Sequence, residues 1–472
     1  MKPITKTLLM GVLAVIFCGA AAFYYPRTIS ESVSGETGQK LFEEFENQVW
    51  TIQISKFDRE NENLKTLSLR RKAQKWLIGK SKMVLTGALI TVAAGSLNEK
   101  TILQEESDDE QDHAKFGVID PKQFQTVKNR GALGAKITLE DVNRNTLGSL
   151  IVGHKVKDTR SQYYVRRPGQ PKVYTVEFDP RVLTTAIGDW MDPNIMGLGS
   201  PRNPDGLVPK LISIDNYRLE SDGAEKGNAS YFYDATWRIL PNGLDRTIKV
   251  PSGEGWADMT VSPEHEQKLR NALLLLPSIR LIDAQAKPAD LSKALRSKGD
   301  ELTAAQFALA AENGFLLDES DGKREFRGAN GSITVVSEQG IEVSVLFGGI
   351  TTTNEAPADS LNYQMIVIAK IASELDEKPV APKPDEEGGE LTDEQKKEFA
   401  RATKEWKQKL ESAKQQVQDI NRQHAEWYYV VSDELVSRIR PDLSQEPTAN
   451  ETAKDPQENP EDPKEDQEQP ES

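Results

Sequence analysis

Residue types that usually carry enzyme chemistry are sparse in this 472-residue chain, and their spacing is wrong for it. Four histidines, His113, His154, His265 and His424, stand far apart with no cysteine beside them. There is no H-x-x-x-H pair, so a zinc site would have to gather carboxylates from distant segments. Packing or surface roles are expected instead. The acidic run ESDDEQDH (Glu106–His113) offers oxygens for weak calcium binding but lacks the glycine and closing glutamate of a calcium loop. It reads as a solvated loop. DESDG (Asp318–Gly322) places its glycine wrongly for an EF-hand and reads as a hairpin turn. No G-x-S-x-G, no P-loop and no G-x-G-x-x-G behind a strand is present. Neither catalytic residue, cofactor nor metal is therefore expected, and the enzymatic alternative is a hydrolase of unrecognised type.

The elements that would position any site begin with an apolar run. Thr7 to Tyr25 reads TLLMGVLAVIFCGAAAFYY without a charge, and a helix of that length just crosses a hydrocarbon core of about 30 Å. Lys2 and Lys6 precede it and Tyr24 and Tyr25 close it. The positive-inside rule then puts the N-terminus in the cytoplasm and the body outside it, at the cytoplasmic membrane. A cleaved signal peptide is the alternative, with Ala20, Ala21 and Ala22 as small residues for a peptidase. The uncleaved anchor is preferred because the apolar run continues through Phe23 to Tyr25. Cys18 is the only cysteine. Phe17 before it is too bulky for a lipoprotein signal, and no disulfide can staple the exported body.

With 37% hydrophobic and 28% charged residues, the chain can bury two ordinary cores. Its formal net charge of -15, with no long basic stripe, argues against a nucleic-acid partner. The acid concentrates from Pro441 to Ser472, where apolar side chains almost vanish, so that tail should be disordered.

An internal repeat organises the middle of the chain. LEDVNRNTLGSLIVGH (Leu139–His154) has a counterpart in VVSEQGIEVSVLFGG (Val335–Gly349), each a strand, a polar turn and a second strand ending in Gly. A further strand follows in both, QYYVRR from Gln162 and NYQMIVIAKI from Asn362, giving three strands per copy. Upstream, Met83–Leu97 and Glu266–Ala284 have helical apolar spacing, and FGVIDP (Phe116–Pro121) matches ENGFLLD (Glu312–Asp318). A three-stranded sheet needs a covering layer, so the repeated unit is helix plus antiparallel sheet. His154 follows the strand-ending Gly153, but Gly349 occupies the equivalent place, so the fold does not require it. Thr184–Leu198 reads as a short helix and turn. Strands are expected from Val49, Ile212, Ala229 and Arg246, with a turn at Asn242-Gly243.

After the second copy comes a Pro-rich linker, EKPVAPKPDEEGG, and then a long one-faced helix opened by a Thr392/Gln395 capping box. Phe399, Ala402, Trp406, Leu410, Ala413, Val417, Ile420, His424 and Trp427 recur at steps of three and four. Such a stripe most often packs on the protein's own sheet. The alternative is a coiled-coil arm, pairing with a second copy or a partner through Trp406, Leu410, Val417 and Ile420. WYYVVSDELVSRI from Trp427 reads as a strand and a short helix. Trp190 in GDWMDP and Trp256 in SGEGW are the candidate ligand contacts, with core packing as the competing role for both.

The fold class is thus α+β. One transmembrane helix precedes two tandem repeats of helix plus antiparallel sheet, a long amphipathic helix and a disordered acidic tail. The expected parts are a cytoplasmic N-terminus (1–6), the anchor (7–25), the first repeat (26–180), the second repeat (181–374), a linker (375–391), the helix-strand-helix segment (392–440) and the tail (441–472). HAKFGVIDP (His113–Pro121), SLIVG (Ser149–Gly153) and QYYVRRPGQPKVYTVE (Gln162–Glu177) resemble a bacterial membrane-anchored family, domain of unknown function 4340, in its long two-repeat form. The resemblance extends from about Val49 to Ile439 and rests on structural motifs, so it carries over no catalytic residue. It implies an accessory role beside an ABC-type export or gliding-related transporter. The expected function is a non-enzymatic subunit of a cell-envelope complex, the alternative a binding module for an envelope polymer or small ligand.

Overall fold

The computed structural model describes residues 36–443, apart from 46–47, 73–74, 79–83, 86–87, 201–202, 222–226, 241–242, 254, 261, 299–301, 319–324, 358 and 383–391. The expected anchor (7–25), the Asn242 turn position and the acidic tail beyond Leu443 lie outside the described residues. Among the described residues no helix is long and apolar enough to cross a membrane. The chain is α+β and divides into two compact units, Met1–Pro193 and Asn194–Ser472.

The first unit is built on a nine-stranded sheet. Its strands are β1 (Thr51–Asp58), β2 (Asn63–Lys72), β3 (Lys75–Ile78), β4 (Val84–Leu85), β5 (Gln104–Ser107), β6 (Ala135–Glu140), β7 (Thr146–Lys155), β8 (Gln162–Arg166) and β9 (Val173–Glu177). They lie in the order β4-β3-β2-β1-β6-β7-β8-β9-β5, and every pairing is antiparallel. Ile52, Ile54, Ile137, Leu139 and Leu150 alternate with polar neighbours and are fully buried, the signature of a half-covered sheet. Between β4 and β5 the chain crosses the whole sheet, carrying the helix Leu89–Ala94 with it.

The second unit repeats that order position for position. Its strands are β10 (Pro209–Ser221), β11 (Gly227–Leu240), β12 (Gly243–Ser252), β13 (Gly255–Asp258), β14 (Asp283–Ala286), β17 (Ser332–Ser337), β18 (Ile341–Thr351), β19 (Asn362–Ile371) and β20 (Trp427–Ser432). Here the order is β13-β12-β11-β10-β17-β18-β19-β20-β14. The helix Pro263–Leu275 makes the crossing. Even the polar pairs between strands agree. Ser55–Thr66 and Thr138–Ser149 hydroxyls meet across β1/β2 and β6/β7, while Ser213–Thr236 and Thr334–Ser344 meet across β10/β11 and β17/β18. Among the described residues three features occur in the second unit alone: a separate hairpin of β15 (Phe315–Asp318) and β16 (Glu325–Gly328), the helices Ala289–Lys298 and Ala304–Ala311, and the long helix Asp393–His424.

Several expectations change. Each sheet has nine strands, because the upstream strands and a polar outer strand join the three of each copy. The helix expected over Met83–Leu97 covers only Leu89–Ala94, since Val84–Leu85 pairs with β3 and Gly95 ends the helix. The helix expected over Glu266–Ala284 stops at Leu275, before Pro277, and the chain continues into β14. Thr184–Leu198 contains a 3-10 turn, Ile187–Trp190, rather than an α-helix.

The long helix begins at the expected capping box: the Gln395 N–H donates to Thr392 Oγ1, and the Thr392 N–H to Gln395 Oε1. Its C-terminal part runs beside β19 where β20 no longer reaches, because β20 pairs only with Asn362–Met365. There the buried Asn421 replaces a strand. Its Oδ1 accepts from the Ala369 N–H and its Nδ2 donates to the Ala369 carbonyl, both at 2.8 Å. Asn421→Leu should therefore orphan two buried backbone groups and lower the unfolding free energy by about 2 kcal/mol. Asn421→Gln should recover little, since its longer stem misplaces the amide. Chemical denaturation of the two variants checks this.

Candidate functional site

The four histidines remain dispersed. His113 Nε2 lies 2.7 Å from the Pro171 carbonyl, and His154 Nε2 lies 3.0 Å from the Gly131 carbonyl with its ring over Gly117. His265 and His424 are buried in the second unit. The acidic loop is used for local structure: Asp109 accepts from the Gln111 N–H, Ser107 donates to Asp112, and Thr175 donates to Glu106. Among the described residues no group of histidine, cysteine, aspartate or glutamate side chains could hold a metal.

The two candidate tryptophans part company. Trp190 is fully buried, its Nε1 donating to the Thr184 carbonyl at 3.3 Å, and it presents no surface to a ligand. Trp256 on the edge strand β13 is 45% exposed and meets Tyr231 edge to face, ring centroids 5.3 Å apart. Tyr231 accepts a 2.9 Å hydrogen bond from Arg327 Nη1, and the Arg327 guanidinium lies 5.4 Å from the Tyr217 ring centre and 6.0 Å from that of Tyr231. Strand alternation explains the grouping. Tyr231 and Tyr233 are two residues apart on β11, and Tyr217 pairs with Tyr231 across β10. An aromatic and guanidinium face therefore runs from the exposed edge toward the interior of the second unit. The tyrosines stand in the strands read from the sequence, and their alternate spacing was the available signal; Arg327 had none.

A second polar cluster lies deep in the same unit. Lys287 is 7% exposed, donates to the His424 carbonyl at 3.2 Å and sits 5.3 Å from the centre of the Tyr428 ring. His424 Nδ1 and the Tyr429 hydroxyl are 2.7 Å apart. Burial brings the Lys287 ammonium down to about 7; burial, then the Lys287 charge, brings His424 down to about 3. The ammonium faces the last carbonyls of the long helix, where a cation is favoured. The cluster caps the C-terminal end of the long helix with both Lys287 and His424 buried.

On the long helix, Trp406, Leu410, Val417 and Ile420 are each half-buried along one stripe, and Trp406 Nε1 donates to the Leu375 carbonyl at 2.9 Å. Only Ala413, Asn421 and His424 are buried in the helix. The stripe thus packs on its own unit at the C-terminal end, while the turns before Ala413 hold no buried residue.

Residues 87–205 match the family described as Domain of unknown function (DUF4340), so the chain carries a DUF4340 domain there. The match takes in HAKFGVIDP, SLIVG and QYYVRRPGQPKVYTVE and stops short of the wider span from Val49 to Ile439. No curated protein and no solved structure matches the chain.

Proposed function

We propose that this protein is a non-enzymatic accessory or scaffold subunit of a cell-envelope complex, held at the outer face of the cytoplasmic membrane by residues 7–25. Its contact arm is the N-terminal part of the long helix, and its partner is a membrane complex, of which an ABC-type exporter is the class implied by the resemblance. The observation that carries this reading is the helix itself. Its 32 residues span roughly 48 Å, yet Asp393–Ser412 contributes no buried side chain while Phe399, Trp406 and Leu410 keep part of their apolar surface open. The two sheets support a tandem repeat of one unit: the strand orders agree, and so do the hydroxyl pairs and the glycine crossings at Gly117/Gly153 and Gly314/Gly348. Among the described residues the arm is found in the second copy and not the first, as expected of a scaffold elaborated for contact.

Photo-crosslinking from position 410 in native membranes tests the arm. A crosslink to another membrane protein is the expected result, weakened at least about tenfold by Phe399→Glu with Leu410→Glu if the apolar stripe supplies the contact. Unchanged helicity by circular dichroism controls for folding. A crosslink only to a second copy would make the arm a homo-oligomer seam, and none at all would remove the reading. The exposed Trp256 beside Tyr231 favours a second reading, a binding module for an envelope polymer or small ligand. That binding should fail with Trp256→Ala and survive the change at Leu410.

A further inference from the structure

The inner end of the aromatic face holds an unneutralised cation. Arg440 follows the short helix Asp433–Ile439, lies 5.2 Å from the Phe347 ring centre and donates from Nη1 to Asn216 Oδ1 at 3.3 Å. It crosses Gly331, which has φ +83° and no room for a side chain beneath the guanidinium. The groups acting on it most strongly are the phenols of Tyr233, Tyr217 and Tyr363 and the guanidinium of Arg218. Buried charges are ordinarily paired. Here a second arginine stands close instead.

The donors around it are under-used. Arg440 Nε and the hydroxyls of Tyr217 and Tyr233 are buried without a well-aligned hydrogen bond, Ser332 and Asn216 being the nearest polar groups to the two phenols, which are only 1% and 2% exposed. Burial pushes both phenols up, so each keeps its proton and remains a donor. A β-bulge between Asn216 and Tyr217 shifts the register with β11 at this point and lets consecutive residues serve the same cluster. Carboxylates stand at its margin: Asp215 accepts from Ser332 and acts on Tyr217, Asp442 acts on Tyr233, and Asp433 acts on Tyr363.

We propose that Arg440, Tyr217 and Tyr233 form a binding site for an oxyanion, the phosphate or carboxylate group of a ligand, with Arg218 as the outer cation and Arg327, Tyr231 and Trp256 as the platform beyond it. A guanidinium with two phenolic donors is the chemistry that recognises such a group, and the adjoining aromatics suit the uncharged remainder of the ligand. The site uses no residue of the long helix, so neither proposal depends on the other.

Calorimetric titration of the full-length protein with inorganic phosphate, and separately with acetate, tests the site and distinguishes the two anions. One of them should bind saturably at about one per chain, and Tyr217→Phe with Tyr233→Phe should weaken that binding roughly a hundredfold, from two hydrogen bonds to a charged group. Those changes remove under-used hydroxyls without altering shape, so the melting temperature without anion should hold or rise. Arg440→Lys, which keeps the charge and loses the planar fork, should also lose binding. The proposal is overturned if neither anion binds saturably, or if binding survives in the double Phe variant. A lower melting temperature in that variant with no anion binding would overturn it too, placing a structural water there instead.

Discussion

Gly348→Val should unfold the second unit well below the temperature at which the parent melts, whereas a change one residue along, Gly349→Ala, should be nearly silent. A Cβ on Gly348 would stand 2.5 Å from the Asn313 carbonyl oxygen and 2.5 Å from the Phe315 ring. The carbonyl cannot yield, because the Gly349 N–H already donates to it at 2.8 Å and Gly314, with φ +74°, turns the chain immediately after it. Phe315 cannot yield either. It is fully buried and stacked on Tyr428 at 5.5 Å, within a cluster that includes Leu291, Leu295, Phe326, Leu346 and Ile366. Overpacking against backbone on one side and a stacked aromatic on the other should cost about 4 kcal/mol, or roughly 10 °C in a unit of this size. Gly349 differs because its nearest neighbours to a Cβ are 3.4 Å away or more. The first unit has already made the second experiment: its equivalent position holds His154, while Gly153 faces the Phe116 carbonyl as Gly348 faces that of Asn313. Thermal melts of the two variants, followed by tryptophan fluorescence, decide the matter. Equal losses from both would sink the crossing argument.

That glycine pair was legible in the sequence because local signals and tertiary demand coincide there. SLIVG and SVLFG end in glycine where a segment carrying another glycine must cross, and the alternation of β17 and β18 matches their burial. The capping box at Thr392 was readable for the same reason, since cap chemistry is written within four residues. The outer strands were not. QEES at β5 and DAQA at β14 have no apolar alternation and become strands only because β9 and β20 offer them a free edge. The cationic groups were hidden more deeply. Arg440 at the end of a short helix and Lys287 in AQAKPAD look like solvent-facing charges, and only the converging tyrosines and the helix terminus reveal the first as half-buried and the second as buried. Helical spacing placed Trp406, Leu410, Val417 and Ile420 on one face, but how much of that face its own sheet would cover was beyond any periodicity.

Lys287 should make the second unit more stable as the pH rises from 7 to 10, in the range where most proteins have passed their optimum. The folded ammonium titrates near 7 because burial disfavours its charge, while the unfolded one titrates near 10.5. Between those values the unfolded chain holds the extra proton, so unfolding free energy climbs with pH; the contribution is complete above the unfolded value and gone below the folded one. His424 repeats the pattern lower down, with a folded value of about 3 against 6.5, so that stability also falls as the pH drops from 6.5 toward 3. Two separate rising windows should appear, and the upper one, on the order of 3 kcal/mol, belongs to Lys287. Lys287→Met fills the same volume without the charge. It gives up the hydrogen bond to the His424 carbonyl, worth about 1 kcal/mol, but removes a larger desolvation cost, so at pH 7 it should stabilise by roughly 2 kcal/mol. Its advantage over the parent should then shrink as the pH rises and reverse by about 1 kcal/mol toward pH 10, where the neutral amine keeps the hydrogen bond that Met lacks, and relief from the neighbouring charge should raise the His424 value and narrow the lower window. Urea denaturation of parent and variant from pH 4 to pH 10 separates this from the surface carboxylates, which are common to both. A parent profile flat above pH 7, or a variant weaker than the parent at pH 7, would mean that the ammonium is solvated and the helix end is not sealed.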